Sequence, residues 1–194
     1  IYVKQVAPDN SAITTIRLSD GSGDSVNPAI SGQDASYGRV IVAWENDATG
    51  SKEIYAAVAT CSPTTSGSST RQQATTPASS VPPNYHYFDW HPSAVVFSAP
   101  IRVTNSRGNS RNPSIAVSGL GDVSVVFDSD RRRAGYPELY LARLRPTTGW
   151  LSSGQGKLDV RIESYASART PSAAYSPDGY LITLFETNKD GKPS

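Results

Sequence analysis

Between Asn112 and Leu144 the chain reads NPSIAVSGLGDVSVVFDSDRRRAGYPELYLARL. The apolar positions fall in three short runs separated by turn-forming residues, which predicts three consecutive β-strands. PSIAVS is followed by GLGD, whose glycines suit a tight reversal. VSVVFD is followed by the polar loop DSDRRRAG, and ELYLARL is enriched in aromatic and branched residues. The middle run is apolar almost without alternation, the pattern of a strand covered on both faces.

The same pattern recurs along the chain. Asn27-Pro28-Ala29-Ile30 returns as Asn112-Pro113-Ser114-Ile115 and as Thr170-Pro171-Ser172-Ala173. The runs RVIVAWEN (39–46), VSVVFDSD (123–130) and YLITLFET (180–187) align Trp44 with Phe127 and Phe185, and Glu45 with Asp128 and Glu186. EIYAAVA (53–59) matches ELYLARL (138–144), with Tyr55 on Tyr140. TTIRLS (14–19), APIRVT (99–104) and LDVRIE (158–163) place Arg17, Arg102 and Arg161 in line as a fourth strand. Four antiparallel strands repeated at a period of about sixty residues predict an all-β fold, a β-propeller of four-stranded blades. The expected segments are a half-blade 1–19, a blade 27–104 carrying an insertion 61–98, a blade 112–163 and a half-blade 170–194. The aligned aromatics are expected to pack between neighbouring blades. The aligned carboxylates are expected to hydrogen-bond loop amides.

Composition agrees with this class and narrows the partners. The 194 residues are rich in Ser, Thr, Gly and Pro, and the formal charge is +1, so no nucleic acid is advertised. No apolar stretch is long enough to span a bilayer. The one cysteine, Cys61, excludes an internal disulfide framework and reads as a small buried hydrophobe. Little lysine beside abundant Ser and Thr points to an extracellular or cell-surface protein, although no N-x-Ser/Thr acceptor is present. Nothing in the sequence calls for a cofactor.

The blade pattern, NPSIAVSGLGDVSVVFDSD followed by a loop and ELYLARL, resembles the repeats of the sialidase-like β-propeller superfamily, over nearly the whole chain. The hallmark of that superfamily is an Asp-box, S-x-D-x-G-x-x-W, between third and fourth strands. Here that turn reads Arg145-Pro146-Thr147-Thr148-Gly149-Trp150 in one blade and Ser62-Pro63-Thr64-Thr65-Ser66-Gly67 in another. Gly and Trp are kept once, and the Ser and Asp positions hold other residues. The resemblance implies a propeller fold. In its catalytic members it implies three arginines on a substrate carboxylate, a Tyr–Glu pair and an Asp acid. Arg107, Arg111 and Arg169 with Tyr165 and Glu163 would sketch such a set, because arginine forks match carboxylates. The opposing reading is that these residues are charged because loops are solvated.

Tyr55 to Arg102 spans 47 positions, against 21 from Tyr140 to Arg161, so one blade carries extra chain. It begins with a Ser/Thr/Gln/Pro tract, 62–83, and ends in NYHYFDWHP (84–92), the densest aromatic cluster of the sequence. Tyr85, Tyr87 and Trp90, beside Phe88, are candidates for a stacking platform on a glycan or partner chain. The alternative is that they pin the insertion to the blades. His86, Asp89 and His91 form a set that zinc would accept, without a fourth ligand or an element to fix their spacing. The insertion is expected on the face opposite the loops that carry Arg107, Arg111 and Arg131, which complete the candidate ligand-binding set.

Ile1-Tyr2-Val3-Lys4 matches a third-strand start, and residues 185–194 match 44–53. The chain therefore reads as two whole blades and two complementary halves. The edge at Tyr180–Glu186 is expected to pair with Ile1–Val6 of a second copy, two copies closing six blades. Alternatively, neighbouring blades of a longer chain supply the missing strands. The function expected from all this is a secreted or surface binding, adhesion or assembly module without catalysis, a sialidase-type glycoside hydrolase being the alternative.

Overall fold

The computed structural model describes residues 1–6, 12–32, 39–60, 95–145, 149–150, 159–163 and 167–187. These residues form fourteen strands and no helix. An N-terminal ribbon pairs β1 (Tyr2–Val6) with β2 (Ala12–Arg17). The first sheet holds β3 (Ser25–Gly32), β4 (Arg39–Asn46), β5 (Glu53–Thr60), β6 (Val96–Phe97) and β7 (Ile101–Arg102). The second holds β8 (Ser110–Val117), β9 (Val123–Ser129), β10 (Glu138–Arg145), β11 (Gly149–Trp150) and β12 (Asp159–Glu163). A C-terminal ribbon pairs β13 (Ala168–Tyr175) with β14 (Leu181–Thr187). Every pairing is antiparallel.

Equivalent residues of the sequence repeat occupy equivalent places in the ladders. Trp44 lies opposite Tyr55 and Phe127 opposite Tyr140. Tyr55 lies opposite Arg102, Tyr140 opposite Arg161, and Tyr2 opposite Arg17. The N-terminal ribbon thus has the register of a third and a fourth strand. In both sheets the fourth strand is split, because two separate segments pair with the third. β6 meets Ala59 and Thr60, and β11 meets the equivalent Leu144 and Arg145. Val96 and Phe97 therefore belong to the sheet, and the insertion expected to run to residue 98 ends before them. The apolar run Val95-Val96-Phe97 extends the outer strand, which breaks at Pro100, a residue with no N–H to give the ladder. Likewise, Gly149 and Trp150, expected in a turn, pair back on β10.

The sheets stack in chain order. β8 packs on β3 and β4, and β13 on β8 and β9. Alternate residues of β4 supply two cores. Ile41 and Ala43 join Ile115, Val125 and Phe127 of the second sheet. Val42 and Trp44 join Leu18, Val3 and Ile16 of the N-terminal ribbon. That two-sided burial explains the unalternating apolar runs, each fully buried Val, Ile or Phe contributing about 1.5–3 kcal/mol. Trp44 and Phe127 are buried as expected, at 1% and 0% exposure, but Phe185 is 36% exposed. Phe185 has no described strand beyond β14 to give it the tyrosine that stacks on Trp44 and on Phe127.

Candidate functional site

At the start of each first strand an Asn-Pro or Thr-Pro pair makes a β-bulge. The pairing shifts between Val26 and Ala29, between Arg111 and Ser114, and between Arg169 and Ser172. The residue before each proline is left-handed: Asn27 at φ 50°, Asn112 at 52° and Thr170 at 45°. Asparagine tolerates this region, and a β-branched threonine there is strained.

The bulge turns a backbone N–H toward the preceding sheet, where the aligned carboxylate receives it. Glu45 accepts from the Asn112 amide at 2.8 Å and from Asn27 Nδ2 of its own sheet at 2.6 Å. Asp128 repeats the arrangement one sheet later, accepting from the Thr170 amide at 3.2 Å and from Asn112 Nδ2 at 2.7 Å. Glu45 also holds the Lys52 ammonium at 2.8 Å. Backbone bonds run beside these bridges, from Ser110 N–H to the Lys52 carbonyl at 2.7 Å and from Ala168 N–H to the Pro137 carbonyl at 2.9 Å. Burial pushes the Asp128 carboxyl above its ordinary value, against the opposing pull of Asn112, the Thr170 amide and Arg111, and the Glu45 charge adds to the rise.

The loops around these bridges share one face and repeat as well. Asp47 Oδ1 accepts from the Asp24 amide, and Asp130 Oδ1 from the Asn109 amide, both at 2.7 Å. Each loop crosses its neighbour at a glycine. A Cβ on Gly23 would lie 2.4 Å from the Ala48 nitrogen, and one on Gly108 would lie 2.5 Å from the Arg131 Cα. At the start of the third strands, buried Glu53 accepts from Arg102 at 2.9 Å, from the Ser106 amide at 2.9 Å and from Thr104 Oγ1. Glu138 holds Arg161 at 3.1 Å.

Of the candidate residues, Arg111 and Arg169 hold equivalent register positions on first strands that pack together. Each precedes a bulge on neighbouring first strands, Arg111 opposite Asp128 and Arg169 opposite Glu186. Arg111 is half-buried and Arg169 exposed. Arg107 is exposed in the loop that precedes β8. Arg131 is occupied with packing: its guanidinium lies 3.9 Å from the Tyr140 ring centroid and 5.7 Å from that of Phe127. Its Nε also donates to Ser129 Oγ at 3.2 Å. Glu163 ends β12 opposite Leu139, and its side chain lies outside the described residues, as do Tyr165, Tyr85, His86, Tyr87, Asp89, Trp90 and His91.

A second feature is the open flank of the C-terminal ribbon. Leu139, Leu141, Arg143, Ile162, Leu181, Thr183 and Phe185 line a cleft of about 320 Å³ between the second sheet and β14. Tyr180, Ile182 and Leu184 beside it are 73%, 55% and 72% exposed. Among the described residues no helix is long and apolar enough to cross a membrane. Comparison with protein-family models, curated proteins and solved structures returns no match.

Proposed function

We propose that this chain is a segment of a β-propeller of the sialidase-like type that acts, outside the cell or on its surface, as a non-catalytic recognition and assembly module. The sheets are its blades, stacked first strand to second strand through the carboxylate–amide bridges, and the open edges of β1 and β14 take further blades. The loop face takes an acidic ligand such as a glycan. The observation that carries the recognition reading is the placement of Arg111 and Arg169 at the same register position on adjacent first strands. Guanidinium forks offered from both positions would match an anionic group. Glu45 and Asp128, the latter opposite Arg111, are already committed to amide donors, which supports a non-catalytic role. Tyr85, Tyr87 and Trp90 would add stacking area.

Glycan-array binding with the intact protein tests this: acidic glycans should bind, and Arg111→Ala should abolish binding. Absence of any glycan signal would refute the ligand class. The arginine pair also favours the sialidase-type hydrolase as a second reading. Turnover of a fluorogenic sialoside that disappears in Arg111→Ala would replace the non-catalytic role with that one.

A further inference from the structure

The bridges that join the sheets are directional. At each junction a second-strand carboxylate accepts from the bulge amide of the next sheet, Glu45 from Asn112 and Asp128 from Thr170. Two groups of the series are left over. Among the described residues no side chain donates to the Glu186 carboxylate, and no carboxylate accepts from the Asn27 amide, which sits in the register shift of β3. Glu186 is the third acceptor of the alignment and Asn27 the first donor.

The apolar residues around those groups are unmatched in the same way. At the junction of the two sheets Ile115, three positions after Asn112, is buried to 9% exposure against Ile41 and Ala43, both at 0%. Ile30, three positions after Asn27, is 64% exposed, and Val26 beside it is 39% exposed. Ile182 and Leu184, which align with Ile41 and Ala43, are 55% and 72% exposed. Tyr2 is 68% exposed, while Tyr140 and its stacking partner Phe127 are at 5% and 0%.

We propose that a second copy of this chain supplies the missing half of each pair. Glu186 of one copy accepts from the Asn27 amide of the other, and Ile30 of that copy seats on Ile182 and Leu184. β14 pairs with β1 of the same second copy in the register of β4 with β5. That register sets Phe185 opposite Tyr2, Leu184 opposite Val3 and Thr183 opposite Lys4. The N-terminal ribbon then completes the C-terminal ribbon as a four-stranded blade, and the cleft beside Phe185 is closed. A two-fold axis makes the join twice, pairing Glu186 with Asn27 and β14 with β1 at both junctions. Two copies give six blades, within the range in which propellers close. This inference rests on the assembly reading above and adds its partner, register and contacts.

The test is light scattering on the intact chain, followed by directed cross-linking. A folded dimer is expected. Glu186→Lys should raise its dissociation constant at least about a hundredfold, because a charge-assisted bond is lost at both joins, and Ile30→Asp should likewise give folded monomers. In a Cys61→Ser background, Lys4→Cys with Thr183→Cys should form a covalent dimer under mild oxidation. Lys4→Cys with Leu181→Cys, displaced by one strand repeat, should not. A folded monomer would overturn the inference and leave glycan recognition standing. A dimer indifferent to Glu186→Lys and Ile30→Asp, or one that cross-links only in the displaced register, would overturn the proposed join while keeping assembly. Open filaments in place of dimers would overturn the two-fold closure.

Discussion

Replacing Glu45 by alanine tests the inter-sheet bridge directly. The side chain is wholly buried and gathers three donors: the Asn112 amide, Asn27 Nδ2 and the Lys52 ammonium. Their losses are unequal. Lys52 is 36% exposed and rehydrates, so its share is under about 1 kcal/mol. Asn27 is also exposed, and its share is about 1 kcal/mol. The Asn112 amide is half-buried at the junction of two sheets, and a charge-assisted bond to such a donor contributes about 1.5–3 kcal/mol. With the small cavity left by the side chain, the total is about 3–5 kcal/mol, a large part of the 5–15 kcal/mol by which domains of this kind are stable. Urea unfolding followed by fluorescence and far-ultraviolet dichroism measures it. Glu45→Gln, which keeps an acceptor, should cost about 1–2 kcal/mol, and Lys52→Ala less than about 1 kcal/mol. If Glu45→Ala costs under about 1 kcal/mol, or Glu45→Gln costs as much as alanine, the amide bridge is not what joins these sheets.

Three further outcomes are expected from the same bridges. Thr170→Asn should stabilise by about 0.5–2 kcal/mol in thermal unfolding, because it relieves a β-branched residue at φ 45° and restores the Nδ2 donor that Asn27 and Asn112 give their carboxylates. Asp128→Ala should cost about 1–3 kcal/mol, since it removes the acceptor of both Asn112 Nδ2 and the Thr170 amide. The carboxyl of Asp128 is raised in the folded state, so its stabilising contribution is present below its ordinary range and lost as pH rises through the raised value. Wild type should therefore gain stability relative to Asp128→Asn on going from about pH 6 to about pH 3, and a pH-independent difference would count against that carboxyl being destabilised by burial.

The strand pattern was legible because it rests on side-chain periodicity. The alignment of Tyr55 with Tyr140 and of Arg102 with Arg161 became two identical cross-strand pairs. The same logic placed Tyr2 opposite Arg17 in the N-terminal ribbon. The recurrent NP motif and the aligned carboxylates were visible as well, but not the bond between them, because the donor is a backbone amide whose direction depends on a left-handed φ. Glu53 and Glu138, each two positions before a repeated tyrosine, carried a signal for the ion pairs with Arg102 and Arg161 that the alignment already contained. Arg131 was unreadable. Arg131, Arg132 and Arg133 are consecutive and identical in type, and only the turn geometry decides that the first lies over Phe127 and Tyr140. The misplaced edge of the insertion has a comparable origin: a two-residue strand such as Val96–Phe97 is too short to show a period.

The direction of the bridge links fold to assembly. If the sheets were held by apolar contact alone, an unfilled end would favour any partner with a complementary greasy face. A carboxylate that accepts from a bulge amide is more selective, because the partner must present a free N–H at one register position, beside an isoleucine three residues on. Among the described residues the Asn27 bulge meets both conditions. A head-to-tail contact of this kind continues until the rotation per sheet brings an acceptor back to the first donor. In the proposed dimer a closed ring needs the same turn at the new junctions as at the two observed ones. Substitutions that alter the bulge, such as those at Asn27 or Pro28, should change not only the strength of the join but also the number of copies that close it.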